Sequence, residues 1–145
     1  ETLDIRMKKH SENALELAKW LEKRKEVEWV NYPGLDSSNY NILSKKYLPK
    51  GQSGLITFGV KGGFDSAKTI ADNTNIFSLL ANIGDTKSLI IHPASTTHQQ
   101  LSVDDQASTG VTSDLIRLSV GLEDIKDLKN DLEIAFSKID SKVLI

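Results

Sequence analysis

Arg117 is the residue whose type and setting first suggest chemistry. It stands in Leu115 to Val120, LIRLSV, where strand alternation sends Ile116, Leu118 and Val120 to one face and Leu115, Arg117 and Ser119 to the other. A guanidinium keeps its charge at any ordinary pH and offers a planar fork of donors, so one set in mid-strand opposite an aliphatic face calls for a carboxylate, a phosphate or water. A substrate carboxylate is one such partner. An ion pair with Asp or Glu, or plain exposure on an open face, is the other, and residue type alone favours it.

The remaining candidates are weaker. His92 and His98 are six apart across Pro93, a spacing that matches neither the i, i+4 pair of a helical zinc motif nor a closed ligand set, so no metal site is read here. His10 lies in a strongly charged segment and is expected to face solvent. No serine is joined to a recognisable histidine and carboxylate signature. Gly51, Gly54, Gly62 and Gly63 could turn backbone amides toward an anion, but they fit neither the dinucleotide fingerprint nor the P-loop and read as turn glycines. With no cysteine, there is neither a disulfide nor a thiolate nucleophile or ligand.

Strands and helices alternate along the chain. Leu3, Met7, Ala14, Leu17, Ala18 and Leu21 recur at helical intervals up to about Lys23, with Trp20 as an anchor. Val27 to Tyr32 reads as a strand stopped by Pro33-Gly34, and Ser37-Ser38-Asn39 supplies caps for a helix through Leu43 and Tyr47. Leu55 to Val60 is a strand closed by Gly62-Gly63; Asp65-Ser66 opens a helix through Ala67, Ile70 and Ala71. Phe77 to Ile83 and Ser88 to Ile91 are two apolar runs, read as strands joined by a turn at Gly84-Asp85. Short helical pieces from Thr96 to Leu101 and Val103 to Ala107 are divided by a capping Ser102. After the Arg117 strand, Glu123 and Asp124 place carboxylates at the start of a helix whose face runs Ile125, Leu128, Leu132, Ala135, Phe136, Ile139. The pattern predicts one two-layer α/β domain, with helices covering one face of the sheet and the other face left to meet something.

At 145 residues the chain suffices for one hydrophobic core. Charged residues make up 26% of it, with both signs interspersed to a net charge of -2 and no basic block, which disfavours nucleic acid and anionic membranes as partners. No apolar stretch approaches the roughly 18 residues of a spanning helix, and Glu1 to Lys25 lacks the apolar middle of a signal peptide. A soluble, intracellular protein is expected. A start at Glu1, almost directly in helical sequence, suggests a cut inside a longer polypeptide.

Three segments together carry a family resemblance. They are Tyr47-Leu48-Pro49-Lys50-Gly51 leading to Phe58-Gly59-Val60-Lys61-Gly62-Gly63, then Ser88-Leu89-Ile90-Ile91-His92-Pro93-Ala94-Ser95-Thr96-Thr97-His98, and Leu115-Ile116-Arg117-Leu118-Ser119-Val120-Gly121-Leu122-Glu123. In order and spacing they resemble the small carboxyl-terminal domain of the Cys/Met metabolism enzymes that depend on pyridoxal phosphate, over essentially the whole chain. His92 to Leu101 and the Lys-Gly-Gly segment resemble the O-acetylhomoserine sulfhydrylase branch more than the cystathionine synthases or lyases.

The resemblance implies residues 1–145 as a single substrate-binding domain, with a short, mainly antiparallel sheet and helices on one face. The large domain, with its cofactor-bearing lysine, is outside the chain. By motif position Arg117 matches the arginine that holds the substrate α-carboxylate. Asn82 stands two before Gly84, where many relatives carry a serine near that carboxylate, and Thr97 could steady Arg117 or cap the following helix. No catalytic, cofactor-binding or metal-binding residue is assigned in this chain. The implied parent enzyme is a cytoplasmic homo-oligomer, a tetramer by resemblance, that replaces the acetate of O-acetylhomoserine by sulfide or a thiol; this chain alone would be inactive. A non-catalytic amino-acid-binding module and a truncated fragment docked on its parent are the rival expectations.

Overall fold

The computed structural model describes residues 1–82, 84–140 and 142. In chain order the elements are α1 (Leu3–Leu21), β1 (Val27–Asn31), α2 (Asn41–Tyr47), β2 (Leu55–Val60), α3 (Gly63–Asp72), β3 (Ser78–Leu79), β4 (Leu89–Ile91), α4 (Val103–Ser108), β5 (Leu115–Ser119) and α5 (Ile125–Phe136). A 3-10 turn, Pro93–Ser95, follows β4. The strands form one sheet in the order β1-β2-β5-β4-β3, antiparallel except for the β3–β4 edge.

One face of this sheet makes the core. Ile56, Phe58, Ile90, Ile116, Leu118 and Val120 meet Ala14, Leu17 and Leu21 of α1, Ala67 and Ile70 of α3, and Leu128, Leu132 and Phe136 of α5, all essentially without solvent exposure. Phe58 meets the Phe136 ring edge-on at 6.4 Å, and Trp20 packs on Phe136 at 6.0 Å. Arg24 lies over Trp20 and pairs with both Glu26 and Glu133, fastening the end of α1 to α5. The two-layer α/β architecture expected from periodicity is therefore the one observed, with α1, α3 and α5 as the helical layer.

Five local expectations are corrected. The stretch 96–101, expected to be helical, is a run of turns. Leu3 and Met7 are 60% and 40% exposed, and the buried face of α1 begins only at His10. In α2 the buried residues are polar: Asn41 and Ser44 donate to the Pro33 carbonyl, and Asn41 also to that of Gly34, leaving Ile42, Leu43 and Tyr47 exposed. No side chain caps α2; the Ser38 hydroxyl instead accepts from the Tyr40 amide. Of the run from Phe77, only Ser78–Leu79 is strand, and it pairs parallel to β4 rather than as a hairpin. The buried Asp131 carboxylate of α5 accepts from the amides of Asn75, Ile76 and Phe77, which fixes the entry of this segment, while Phe77 is buried and Leu79 and Leu80 are exposed. Ile83, the expected end of that run, lies outside the described residues.

The cap expected at α4 is present, and one of the two carboxylates expected at the start of α5 caps it; α3 has no side-chain cap. Ser102 accepts from the Asp105 amide at the start of α4 and Asp124 from the Lys126 amide at the start of α5. α3 begins two residues early, since Gly62 and Gly63 both take positive φ values that a side chain would resist.

Candidate functional site

Arg117 sits in the middle strand of the sheet, on the face opposite α1, α3 and α5. Its strand lies between β2 and β4, and in register it stands beside Thr57 on one side and Ile91 on the other. Because Ile116, Leu118 and Val120 take the core face, the alternation of a strand forces Arg117 outward. It is half-buried, and among the described residues no carboxylate, carbonyl or hydroxyl holds its guanidinium. A structural ion pair, the bland reading of an arginine in mid-strand, is absent among these residues.

Two recesses flank the side chain. One, too tight to admit a water molecule, is bounded by Leu80, Asn82, Leu89, Ile90, Ile91 and Ser119; the other, of about 340 Å³, by Asn31, Tyr40, Ser53, Leu55 and Thr57 among others. Neither contains a lysine or an acidic residue among the described ones, so the surroundings suit an anion and include no amine that could form an imine with an aldehyde cofactor. A fixed cation among neutral amide and hydroxyl groups is a carboxylate receptor in chemical terms: the fork supplies two parallel charge-assisted bonds and the neighbours add neutral ones.

Asn82 and Arg117 are brought together by the fold: the loop after β3 carries Asn82 to the rim of the first recess. The Asn82 amide donates to Asp85 at 3.2 Å. That bond, together with a stronger one from the Lys87 amide, holds the Asp85 carboxyl below its ordinary range. Thr97 is not among the residues lining either recess. It is exposed, its hydroxyl is engaged with His98 Nδ1 at 2.9 Å, and the helix after it is capped by Ser102.

Two histidines turn out to be structural fasteners. His92 is fully buried between β4 and the approach to β5. Its Nε2–H donates to the Ser113 carbonyl at 2.8 Å, which leaves Nδ1 to accept from the Ser95 hydroxyl at 2.8 Å, and Phe64 meets the ring edge-on. Burial pushes its pKa below the ordinary histidine value, partly offset by the Ser113 bond. His10, expected in solvent, is 6% exposed and donates through Nδ1 to the Val120 carbonyl at 2.6 Å. The signal for it lies in the spacing: His10 is four before Ala14 and seven before Leu17, on the buried face of α1.

The chain as a whole is similar to known proteins. The chain is 54% identical to an O-acetyl-L-homoserine sulfhydrylase of Leptospira meyeri over 140 residues, 96% of this chain and 32% of that one. It is 49% identical to a homocysteine synthase of Schizosaccharomyces pombe, covering 93% and 32% respectively. A crystal structure described as a putative O-acetylhomoserine (thiol)-lyase of Campylobacter jejuni, which carries a pyridoxyl-lysine phosphate, superposes with a TM-score of 0.87 at 46% identity over 94% of this chain and 32% of that one. The chain thus spans about a third of the length of the relatives it matches. The family model for Cys/Met metabolism PLP-dependent enzymes matches residues 1–137, and with that match the chain belongs to this family.

Proposed function

We propose that this chain is the substrate-carboxylate-binding domain of an O-acetylhomoserine sulfhydrylase, in which Arg117 anchors the α-carboxylate of the amino-acid substrate. The observation that carries the reading is a half-buried, centrally placed guanidinium without a partner among the described residues, flanked by Asn82, Ser119 and Thr57. A guanidinium fork fixes the carboxylate in a plane, and so sets the direction in which the substrate's amine and Cα–H point. Asn82 then adds a neutral contact at the edge of the same recess. Thr97 has its hydroxyl satisfied by His98, and the proposal rests on Arg117 and Asn82.

The residues around Arg117 do not fit the cofactor itself, so pyridoxal phosphate, which supplies the electron sink of this family's chemistry, belongs to a part of the enzyme carrying a reactive lysine. The reaction proposed for the whole enzyme is replacement of the acetate of O-acetylhomoserine by sulfide or a thiol, giving homocysteine or a homologue. No helix among the described residues is long and apolar enough to cross a membrane. A cytoplasmic homo-oligomer is part of the same proposal.

The test is steady-state kinetics of the whole enzyme with Arg117→Lys. Loss of the fork is expected to lower kcat/KM for O-acetylhomoserine by one to two orders of magnitude, mostly through KM, since lysine keeps the charge but loses one charge-assisted bond of about 1.5–3 kcal/mol. An unchanged KM would remove Arg117 from the site.

A further inference from the structure

We infer that Glu123, acting through Ser88, is a positioning residue of the carboxylate site, fixing the strand that carries Arg117 against the loop that carries Asn82. The inference rests on the reading of Arg117 given above. Since no side chain among the described residues braces the guanidinium, its aim is set by the backbone of β5, and β5 is pinned where it ends. The Val120 amide donates to Gly54 at 2.7 Å, and its carbonyl accepts from His10. Asn13 of α1 donates to the carbonyls of Gly121 and Glu123 at 3.0 and 2.9 Å, and the Leu122 amide reaches Thr86 at 2.9 Å.

The Glu123 side chain turns back over this bend. One carboxylate oxygen accepts from the Ser88 amide and the other from the Ser88 hydroxyl, both at 2.8 Å, while that hydroxyl accepts from the Gly121 amide at 2.7 Å. Ser88 is fully buried, and it is the residue at which the loop bearing Asn82 enters β4. One carboxylate therefore holds both ends of the short path from Asn82 to Arg117. A carboxylate gives each of the two Ser88 donors its own oxygen; in a glutamine one of those oxygens becomes an NH₂, and the Ser88 hydroxyl must turn to accept from it and loses its own acceptor. The approach is close enough that a Cβ on Gly121 would collide with the Ser88 amide nitrogen and the Thr86 carbonyl. Among the described residues no lysine or arginine pairs with Glu123, so Ser88 and this bend define its role.

The experiment is a double-mutant cycle in the whole enzyme: Glu123→Gln and Arg117→Lys, singly and together, with KM and kcat measured for the amino-acid substrate and the cofactor's absorbance followed. Glu123→Gln is expected to raise KM roughly tenfold when Arg117 is present and to add little in the double variant, because sites coupled through a shared backbone shift depart from additivity where independent ones add. Ile70→Val in the core supplies a destabilised control with unchanged KM, and Ser88→Ala repeats the cycle from the other partner should the glutamine variant not fold. Equal KM losses with and without the Arg117→Lys change, or an unchanged KM in Glu123→Gln, would overturn the inference while leaving Arg117 as the anchor. If Arg117→Lys alone leaves KM untouched, the carboxylate reading itself falls.

Discussion

The two faces of the same five-stranded sheet follow opposite rules. On the covered face, every position from β2, β4 and β5 is aliphatic or aromatic and closed to solvent, and α1, α3 and α5 answer it with matching residues. On the other face Leu89, Ile91 and Leu115 are buried, but Leu55 is 51% exposed, Arg117 and Thr57 are half-buried, and the neighbouring α2 turns Ile42 and Tyr47 outward while burying Asn41 and Ser44. The covered face holds the domain together, while the other stays partly open around Arg117. The two-residue alternation of β5 sends Ile116 and Leu118 into the core and Arg117 to the opposite face, where the proposed carboxylate site lies.

Substitutions that separate the faces put this contrast at risk. The largest stability loss is expected from Phe58→Ala, which empties a fully buried ring site against Phe136; denaturant unfolding should show a loss of about 3–5 kcal/mol. Next is Asp131→Ala, which strips three backbone amides of their acceptor and should cost about 2–4 kcal/mol by the same measurement, with the β3 edge released first in amide exchange.

A pH effect comes third. The His92 pKa is lowered in the fold, so the unfolded chain binds more protons below the ordinary histidine value of about 6.5. The stability it contributes is complete above that value and is lost as pH falls through the folded value. Unfolding midpoints from pH 8 to 5 should therefore decline below about 6.5, and His92→Asn should flatten the decline. At the other extreme, burial pushes Tyr32 up to about 12, so its contribution is complete below the ordinary value near 10 and lost above it.

The smallest effects on stability are expected on the face around Arg117. Arg117→Met and Leu55→Ser should each change the unfolding free energy by no more than about 0.5 kcal/mol, since neither side chain is packed in the core or paired among the described residues. A loss above about 2 kcal/mol for Arg117→Met, measured on the isolated chain, would mean that this open part of the sheet stabilises the fold after all.

Most of the frame is legible because burial on one side leaves a period in the sequence. The α5 face from Leu128 to Phe136, the β5 alternation and the caps at Ser102 and Asp124 are local, and each is found where its pattern puts it. Patterning misleads where partners come from far along the chain. α2 carries apolar residues at helical spacing, yet two carbonyls of the Pro33–Gly34 turn attract its polar side. β3 is shorter than its apolar run because such a run does not reveal that Asp131, more than fifty residues on, anchors the start of the segment. His10 escapes a reading by charge density along α1, which hides the buried face that His10 and Asn13 share with Leu17.

The sequence by itself determined the fold class, the strand that bears Arg117 and the family motifs, since these depend on residue type and short-range period. Only the tertiary structure decided that Arg117 lacks a partner among the described residues, that Asn82 reaches the same recess while Thr97 does not, and that Glu123 binds Ser88 across the end of the sheet. Those facts depend on which distant segments share a boundary, and hydrogen bonds between residues thirty or more apart leave no period to read.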